Sequence, residues 1–593
     1  MKLFLLRLQT GIVFHHLLFL THCLRTAAFA VAPRVVSWSA SSRSKACHQD
    51  PPSAREFTVG GSNLGGKRRD AQRPWSLRAQ AEIGARQETF HEEQVEEEAS
   101  TERQGFDWRR QWYPVAVMRD LEAMDPRQPY PVKVLGEAMV VWKEPRGGWR
   151  VFTDRCPHRW APLSEGRVDQ ETGRLQCIYH GWEFEADGGC GKIPQADPEV
   201  RDTAQSSKRA CATVIPSRVE HDLLWVWPDA SPEGVENSER ASPVCVPEME
   251  SPDFGGEWYS RDLPYGYDTL VENLVDPAHV PYAHHGVIGA RPMGTPMAIA
   301  MEKGLGEDVL RTQQTGYAGS KNLVVGYDAP SLVFYRSDYT DIWQGIAKSR
   351  PFIRCLAWII TTFKLDKRMA MKPEERKSSS DRLYSMFIGY AVPTSPGKSR
   401  VFIRNCRNFF LQHPVIPRRW RNSLAREHLG LHSVLDGDTP AVHMQERFLL
   451  KAGKHGGASA ERTYFMPADS DEPIRAFRKW YNSRAGGGPA WAEGVDPSDL
   501  GPILPRESLL ERMQSHTKHC SACSKAYRVS GQVKRASVGG ALVLVASAAV
   551  APRGPLALCL AGAAVAVSAL AAAMARREQK HVFVDYVHAT RDG

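Results

Sequence analysis

Cys156-Pro-His158 and Cys177-Ile-Tyr-His180 put two thiols and two imidazoles into a pair of short loops. For four such donors to serve one metal centre, both loop tips must meet, and soft sulfur combined with imidazole favours iron or zinc. The flanking sequence supplies a frame. Val132 to Trp142 and Trp149 to Thr153 are rich in β-forming residues around a turn at Pro145 to Gly148. Leu175 to Phe184 leads into a turn at Asp187 to Gly189, and His221 to Trp227 reads as a further strand. The expectation is an antiparallel β region carrying two metal-binding loops.

Zinc knuckles usually open with two Cys two to four residues apart, and neither loop does. In a Rieske centre two Cys hold one iron of a [2Fe-2S] cluster and two His hold the other. The pair C-x-H and C-x-x-H, followed by Gly181 and Trp182, resembles the Rieske motif of ring-hydroxylating and related oxygenases. That resemblance implies Cys156, His158, Cys177 and His180 as cluster ligands, with zinc as the alternative.

A Rieske cluster moves electrons, so a receiver is expected downstream. Asp276-Pro-Ala-His279-Val-Pro-Tyr-Ala-His284 offers two imidazoles a little over one helical turn apart, behind a carboxylate. The stretch Glu272 to Gly286 reads as a helix interrupted near Pro281. Histidine pairs of this kind are commonly structural, but the two-His-one-carboxylate triad of non-heme iron oxygenases needs such a pair and a remote acid. Asp438, in the stretch Val434 to Gln445, is the candidate acid, and Asp436 is the alternative.

The order of these motifs resembles the Rieske non-heme iron oxygenases. Asp436-Gly-Asp438, Gln445-Glu446, Ala476-Phe-Arg-Lys-Trp480, Cys520-Ser-Ala-Cys523 and the tail Val582 to His588 narrow the resemblance to the pheophorbide a oxygenase family of plastids. That family includes protochlorophyllide a oxygenase-type and translocon-associated Rieske branches, with chlorophyllide a oxygenase more distant. The resemblance runs from about Phe106 to the C-terminus. It implies His279, His284 and Asp438 as ligands of a mononuclear Fe(II). Asp276 becomes the bridge between the cluster histidine of one subunit and the iron-binding histidine of its neighbour in a head-to-tail homotrimer; His285 is passed over because the spacing favours His284. The implied activity is oxygenation of a chlorophyll-derived tetrapyrrole, such as pheophorbide a, chlorophyllide or protochlorophyllide, with O2 and electrons from a ferredoxin-like donor. Ring opening and oxidation of a ring substituent both stay open.

The alternative from another class is a membrane-anchored Rieske electron-transfer or redox-sensing component of a plastid envelope or thylakoid complex. Rieske subunits of cytochrome complexes carry an additional Cys in each knuckle loop and an anchor near the N-terminus. These loops have no such Cys, and the apolar segment here is C-terminal.

The fold class expected is α+β: an antiparallel-β Rieske domain at 106–235, an α+β mononuclear-iron catalytic domain at 236–515, and a C-terminal two-helix membrane hairpin. The 593 residues are 42% hydrophobic and 24% charged, which is the ordinary globular range. A surplus of 76 Lys and Arg over 67 Asp and Glu is too mild to imply nucleic acid. Twelve scattered Cys do not make a disulfide framework.

Both ends differ from the middle. Residues 1–30 have a signal-peptide layout, and 31–87 read as a transit-peptide-like segment, poor in acid and with Ser clusters. Together they resemble the bipartite leader of algae with complex plastids and imply a chloroplast membrane, envelope or thylakoid. Residues 88–105 form an acidic linker. Ala536 to Ala551 and Leu556 to Ala575 are uncharged and apolar; about 20 residues span a bilayer core, so 533–576 reads as a transmembrane hairpin, the alternative being a buried Ala-rich pair. Basic residues at both ends of the hairpin place the body and the 577–593 tail on one, stromal face.

Cys520 and Cys523, in a segment at 516–530, carry two readings. One is a thiol–disulfide switch addressed by thioredoxin, to which the family resemblance points. The other is half of a zinc site, with His516 or His519 as further ligands, or a pair of inert thiols.

Overall fold

The computed structural model describes residues 105–590, apart from 146, 303–305, 307, 316–322, 339–370, 372–380, 410–423 and 453–462. The leader expected at 1–30 and 31–87, and the acidic linker up to 104, lie outside the described residues.

The fold is α+β, with helices packed on antiparallel sheets. Near the start of the body, Tyr130–Val134, Glu137–Lys143 and Trp149–Thr153 form a three-stranded antiparallel sheet. The continuous run expected from Val132 to Trp142 is broken in two. Leu135 and Gly136 both take positive φ, the conformation that twists a two-residue hairpin to match its strands. Within Glu137–Lys143, Met139 and Val141 join the large core while Val140 and Trp142 join a second, smaller one. Successive side chains point to opposite faces, so an uninterrupted apolar strand separates two cores. The smaller core holds Phe152, Leu163, Leu175 and Phe184 together with Cys156 and Cys177, and a four-stranded sheet of short strands carries it.

The larger core lies against a seven-stranded antiparallel sheet. Its longest strands form the hairpin Tyr384–Ser395 and Lys398–Arg407, flanked on one side by the edge strand Trp258–Leu263 and on the other by four strands ending at Ala298–Met301. The hairpin turns through Pro396 and Gly397. Gly397 has φ +65°, and a Cβ there would stand 2.7 Å from the Leu500 carbonyl oxygen.

Helix α1, Tyr267–Val275, is buried on all but one of its residues. Its Asp268 and Glu272 are compensated by a single buried guanidinium: Arg478 Nη1 lies 2.9 Å from Asp268, and Nε also bonds Glu272. The helix stops at Asp276 because a residue before proline is pushed out of the α region, and Asp276 is extended with ψ 105°. The interruption therefore falls at Pro277. Pro281 sits instead in the first turn of a short helix α2, Val280–Ala283, where a missing N–H costs no hydrogen bond.

Helix α3, Leu424–Lys451, runs through the core with His428, Asp436, Asp438 and His443 on buried positions. Pro440 interrupts its hydrogen-bond ladder. Helix α4, Glu472–Ser483, brings in Arg478. The two last helices are α5, Ser521–Val550, and α6, Pro555–Lys580, each long and apolar enough to cross a membrane. Among their side chains Leu542, Val543, Leu558 and Val565 are 65–75% exposed, so this is not a buried pair. Helix α5 starts well before the apolar stretch and takes in Cys523 and the basic turn at Lys534 and Arg535.

Both feet of this hairpin are fastened to the body. Arg512 N and Nη1 donate to the carbonyls of Val582 and Lys580 at 2.8 and 2.7 Å, and Thr517 Oγ1 donates to the His581 carbonyl at 2.7 Å. Ser521 N donates to Asp120 Oδ1 at 2.8 Å.

Candidate iron centres

The two knuckle loops share one backbone plan. Cys156 N donates to the Ala161 carbonyl at 2.9 Å, and Trp160 N donates back to the Cys156 carbonyl at 2.9 Å. In the second loop, Cys177 N donates to the Trp182 carbonyl at 2.8 Å and Gly181 N to the Cys177 carbonyl at 3.1 Å. Trp160 and Gly181 hold matching positive φ of 61° and 70°. Each loop thus turns back on its own cysteine. Cys156 and Cys177 are both buried in the smaller core, and the rings of His158 and His180 stand 4.5 Å apart at the outer end. Trp182 stacks on His158 at 4.7 Å and 5°. Desolvation, His180 and Arg159 hold His158 below its ordinary pKa, which favours the neutral imidazole that a metal ligand requires. A donor set with two sulfurs inside and two imidazoles outside fits a [2Fe-2S] group whose two irons have unlike ligands.

The break between α1 and α2 creates the second centre. With the helix interrupted at Asp276, His279 and His284 face each other, Nε2 to Nε2, at 3.2 Å. Asp438 on α3 completes the group: its carboxylate oxygens lie 3.4 Å from His284 Nε2 and 3.9 Å from His279 Nε2. The three ligand atoms fall within 4.8 Å of one another. Burial pushes the Asp438 carboxyl up to about 6 and, together with His279, His284 down to about 3. Against the desolvation that lowers it, Asp276 and Asp438 raise the pKa of His279; a dication compensates the buried carboxylate, and two imidazoles with one carboxylate leave coordination positions open. The residues fit a mononuclear Fe(II).

Asp436 is placed elsewhere. It is fully buried, with Oδ1 2.7 Å from Arg261 Nη1 and Oδ2 2.5 Å from Arg512 Nη2. His285 Nδ1 accepts from Arg291 N at 3.2 Å and stays outside the group. Asp276 lies at the rim, its Oδ2 3.4 Å from His279 Nδ1 and Oδ1 accepting from Ala278 N at 2.7 Å.

Two contributors carry no chemical signature in the sequence. A Cβ on Gly437 would meet the Ala283 carbonyl oxygen at 2.9 Å and His284 Nδ1 at 3.2 Å, so α3 can approach the His284 loop because this residue has no side chain. Tyr586, in the tail beyond the hairpin, donates its hydroxyl to the same Ala283 carbonyl at 2.8 Å.

A Rieske lobe joined to a two-histidine, one-carboxylate centre defines the class of Rieske non-heme iron oxygenases, with a [2Fe-2S] cluster and a mononuclear iron as cofactors. The comparisons agree. Residues 111–213 match the Rieske [2Fe-2S] domain and residues 355–455 match pheophorbide a oxygenase. The chain is 35% identical over 512 residues to the chloroplastic pheophorbide a oxygenase of Oryza sativa subsp. japonica, covering 84% of this chain and 88% of the relative. It is 36% identical over 434 residues to the protochlorophyllide-dependent translocon component 52 of Arabidopsis thaliana, covering 71% and 74%. It is 34% identical over 448 residues to flavonoid 8-hydroxylase 2 of Ocimum basilicum, covering 75% and 78%. All three are chloroplastic. The chain belongs to the pheophorbide a oxygenase family.

Proposed function

We propose that this protein oxygenates a chlorophyll-derived tetrapyrrole with O2, using electrons that a ferredoxin-like donor delivers to the Rieske lobe. The observation that carries the reading is the convergence of His279, His284 and Asp438 within 4.8 Å in a chain that also holds the paired knuckles. Cys156, Cys177, His158 and His180 hold the cluster, and His279, His284 and Asp438 hold the iron. When bound, these groups supply one-electron transfer and reductive activation of O2. The chain's own residues do the rest. Asp276 orients His279 through Nδ1, and the bare backbone at Gly437 together with Tyr586 fixes the loop that carries His284. A large, flat, apolar substrate suits an enzyme held at a plastid membrane by α5 and α6, in the envelope or the thylakoid of an alga with a complex plastid.

The test is turnover. Purified full-length protein supplied with reduced ferredoxin and 18O2 is given pheophorbide a, chlorophyllide a, protochlorophyllide or a flavone in parallel. Label is expected in one of the tetrapyrroles. Incorporation confined to the flavone moves the substrate class, and reduction of the cluster without incorporation anywhere favours an electron-transfer component.

Asp276 and His279 are both 22% exposed on their side chains, while Trp160 and Tyr179 at the cluster tip are 71% and 59% exposed. This supports a head-to-tail trimer in which the tip of one copy meets Asp276 of the next. Asp276→Asn is therefore expected to keep both metal centres at full occupancy and to slow single-turnover oxidation of the cluster about 100-fold, at the upper end of what outer-shell partners contribute. An unchanged single-turnover rate would remove Asp276 from the electron path.

A further inference from the structure

His428, His516, Cys520 and Cys523 meet in a cluster that neither iron centre uses. All four are no more than 2% exposed, and their ligand atoms lie within 4.8 Å of one another. His428 Nδ1 is 3.2 Å from His516 Nε2, 3.4 Å from Cys520 Sγ and 3.6 Å from Cys523 Sγ; His516 Nε2 is 3.3 Å from Cys523 Sγ. Zn–S bonds of about 2.3 Å and Zn–N bonds of about 2.0–2.1 Å, set tetrahedrally, put donor atoms about 3.3–3.8 Å apart. The observed edges follow that frame. We propose that these residues form a structural Cys2His2 zinc site, separate from both iron centres.

The environment of His516 supports it independently. Its Nδ1 lies 2.6 Å from the Ser260 carbonyl oxygen, which can only accept, so the ring proton sits on Nδ1 and the Nε2 lone pair faces the cluster. A carbonyl that fixes a histidine in this tautomer is the usual outer partner of a metal-bound imidazole. Zinc binding displaces the two thiol protons, and two thiolates with one dication leave the buried site neutral. His519, by contrast, packs its ring on Tyr130 at 5.8 Å and takes no part.

A thiol–disulfide switch uses the same two sulfurs but leaves both histidines without a purpose. Exchange also requires a thiolate of the partner to reach one sulfur, and Cys520 and Cys523 are 2% and 0% exposed. What the metal would hold is specific. His428 precedes Asp438 on α3 by about 15 Å of helix rise, His516 lies on the π-helical turn Met513–Thr517, and Cys520 caps α5. Zinc would therefore clip the helix that carries the iron-site carboxylate to the first helix of the hairpin.

Full-length protein purified in detergent after growth with iron and zinc is expected to contain one zinc per chain beside three irons. Its zinc K-edge spectrum should show two sulfurs at about 2.3 Å and two nitrogens at about 2.0–2.1 Å. His428→Ala and Cys523→Ser are each expected to lower zinc at least about tenfold with the Rieske resonance unchanged, while Cys156→Ser loses that resonance and keeps the zinc. Zinc that follows Cys156 rather than Cys523 belongs to the knuckles and overturns the proposal. So does an oxygen-rich zinc shell, absence of zinc, or a Cys520–Cys523 disulfide found in the native protein by mass spectrometry. Should His428→Ala and Cys523→Ser fail to fold, three irons and one zinc in the same wild-type preparation leave the knuckle loops no place for it.

Discussion

His279→Ala is expected to release one of three irons, leave the Rieske resonance at full intensity, and lower oxygenation by at least about 100-fold. The expectation rests on the separation of the two donor sets. His279 Nε2 faces His284 and Asp438, in a loop created by the break at Pro277, whereas the cluster cysteines sit in the small core with Val140 and Trp142 and the cluster histidines on its outer side. No donor is shared. The variant should therefore still accept an electron at the cluster and should fail to pass it on productively. Iron and sulfide quantitation with electron paramagnetic resonance reads all three quantities on one sample. Loss of the cluster signal together with the mononuclear iron would show that the two centres fold as one unit and that the assignment of ligands is wrong.

How much of this could be read from the chain depends on how local each determinant is. The knuckles are local: four residue types at fixed short spacing, each loop closed by its own backbone, so the sequence alone indicates that they meet. His279 and His284 are local too, and the helix break that aims them is signalled by Asp276-Pro277. The choice between Asp436 and Asp438 is not local. Two residues apart on a helix, they point to different faces, and which face holds the histidines depends on Arg261 and Arg512, 175 and 76 positions away from Asp436. The same limit hides His428, which lies 92 positions from Cys520, and favours neither His516 nor His519 until the π-helical turn is seen. Gly437 and Tyr586 act through space and shape, and neither has a chemical signature that a pattern could catch. The strand Glu137–Lys143 shows the converse: its unbroken apolar run predicts burial on both faces and does not say that the faces belong to different cores.

Asp436 and Asp438 are expected to fail in opposite ways when each is changed to asparagine. Asp436 is the counterion of two guanidiniums that are themselves 2% exposed, and Arg512 also donates through its backbone and side chain to the Val582 and Lys580 carbonyls at the foot of the hairpin. An amide cannot neutralise either charge. Breaking a buried pair from one side costs about 3–5 kcal/mol, enough to lower Tm by about 5–9 °C in a domain of about 280 residues, and to loosen the tail that carries Tyr586. Asp438 has imidazoles for neighbours, and asparagine fills the same volume without the charge that burial disfavours. In iron-free protein Asp438→Asn should leave Tm within about 2 °C of the parent, within the range of a small change in stability; in iron-loaded protein it should lose the mononuclear iron and the activity while the cluster stays. Thermal unfolding of both variants, with and without iron, separates the roles. If Asp436→Asn unfolds at the parental temperature and loses its iron, the two carboxylates have been assigned the wrong way round.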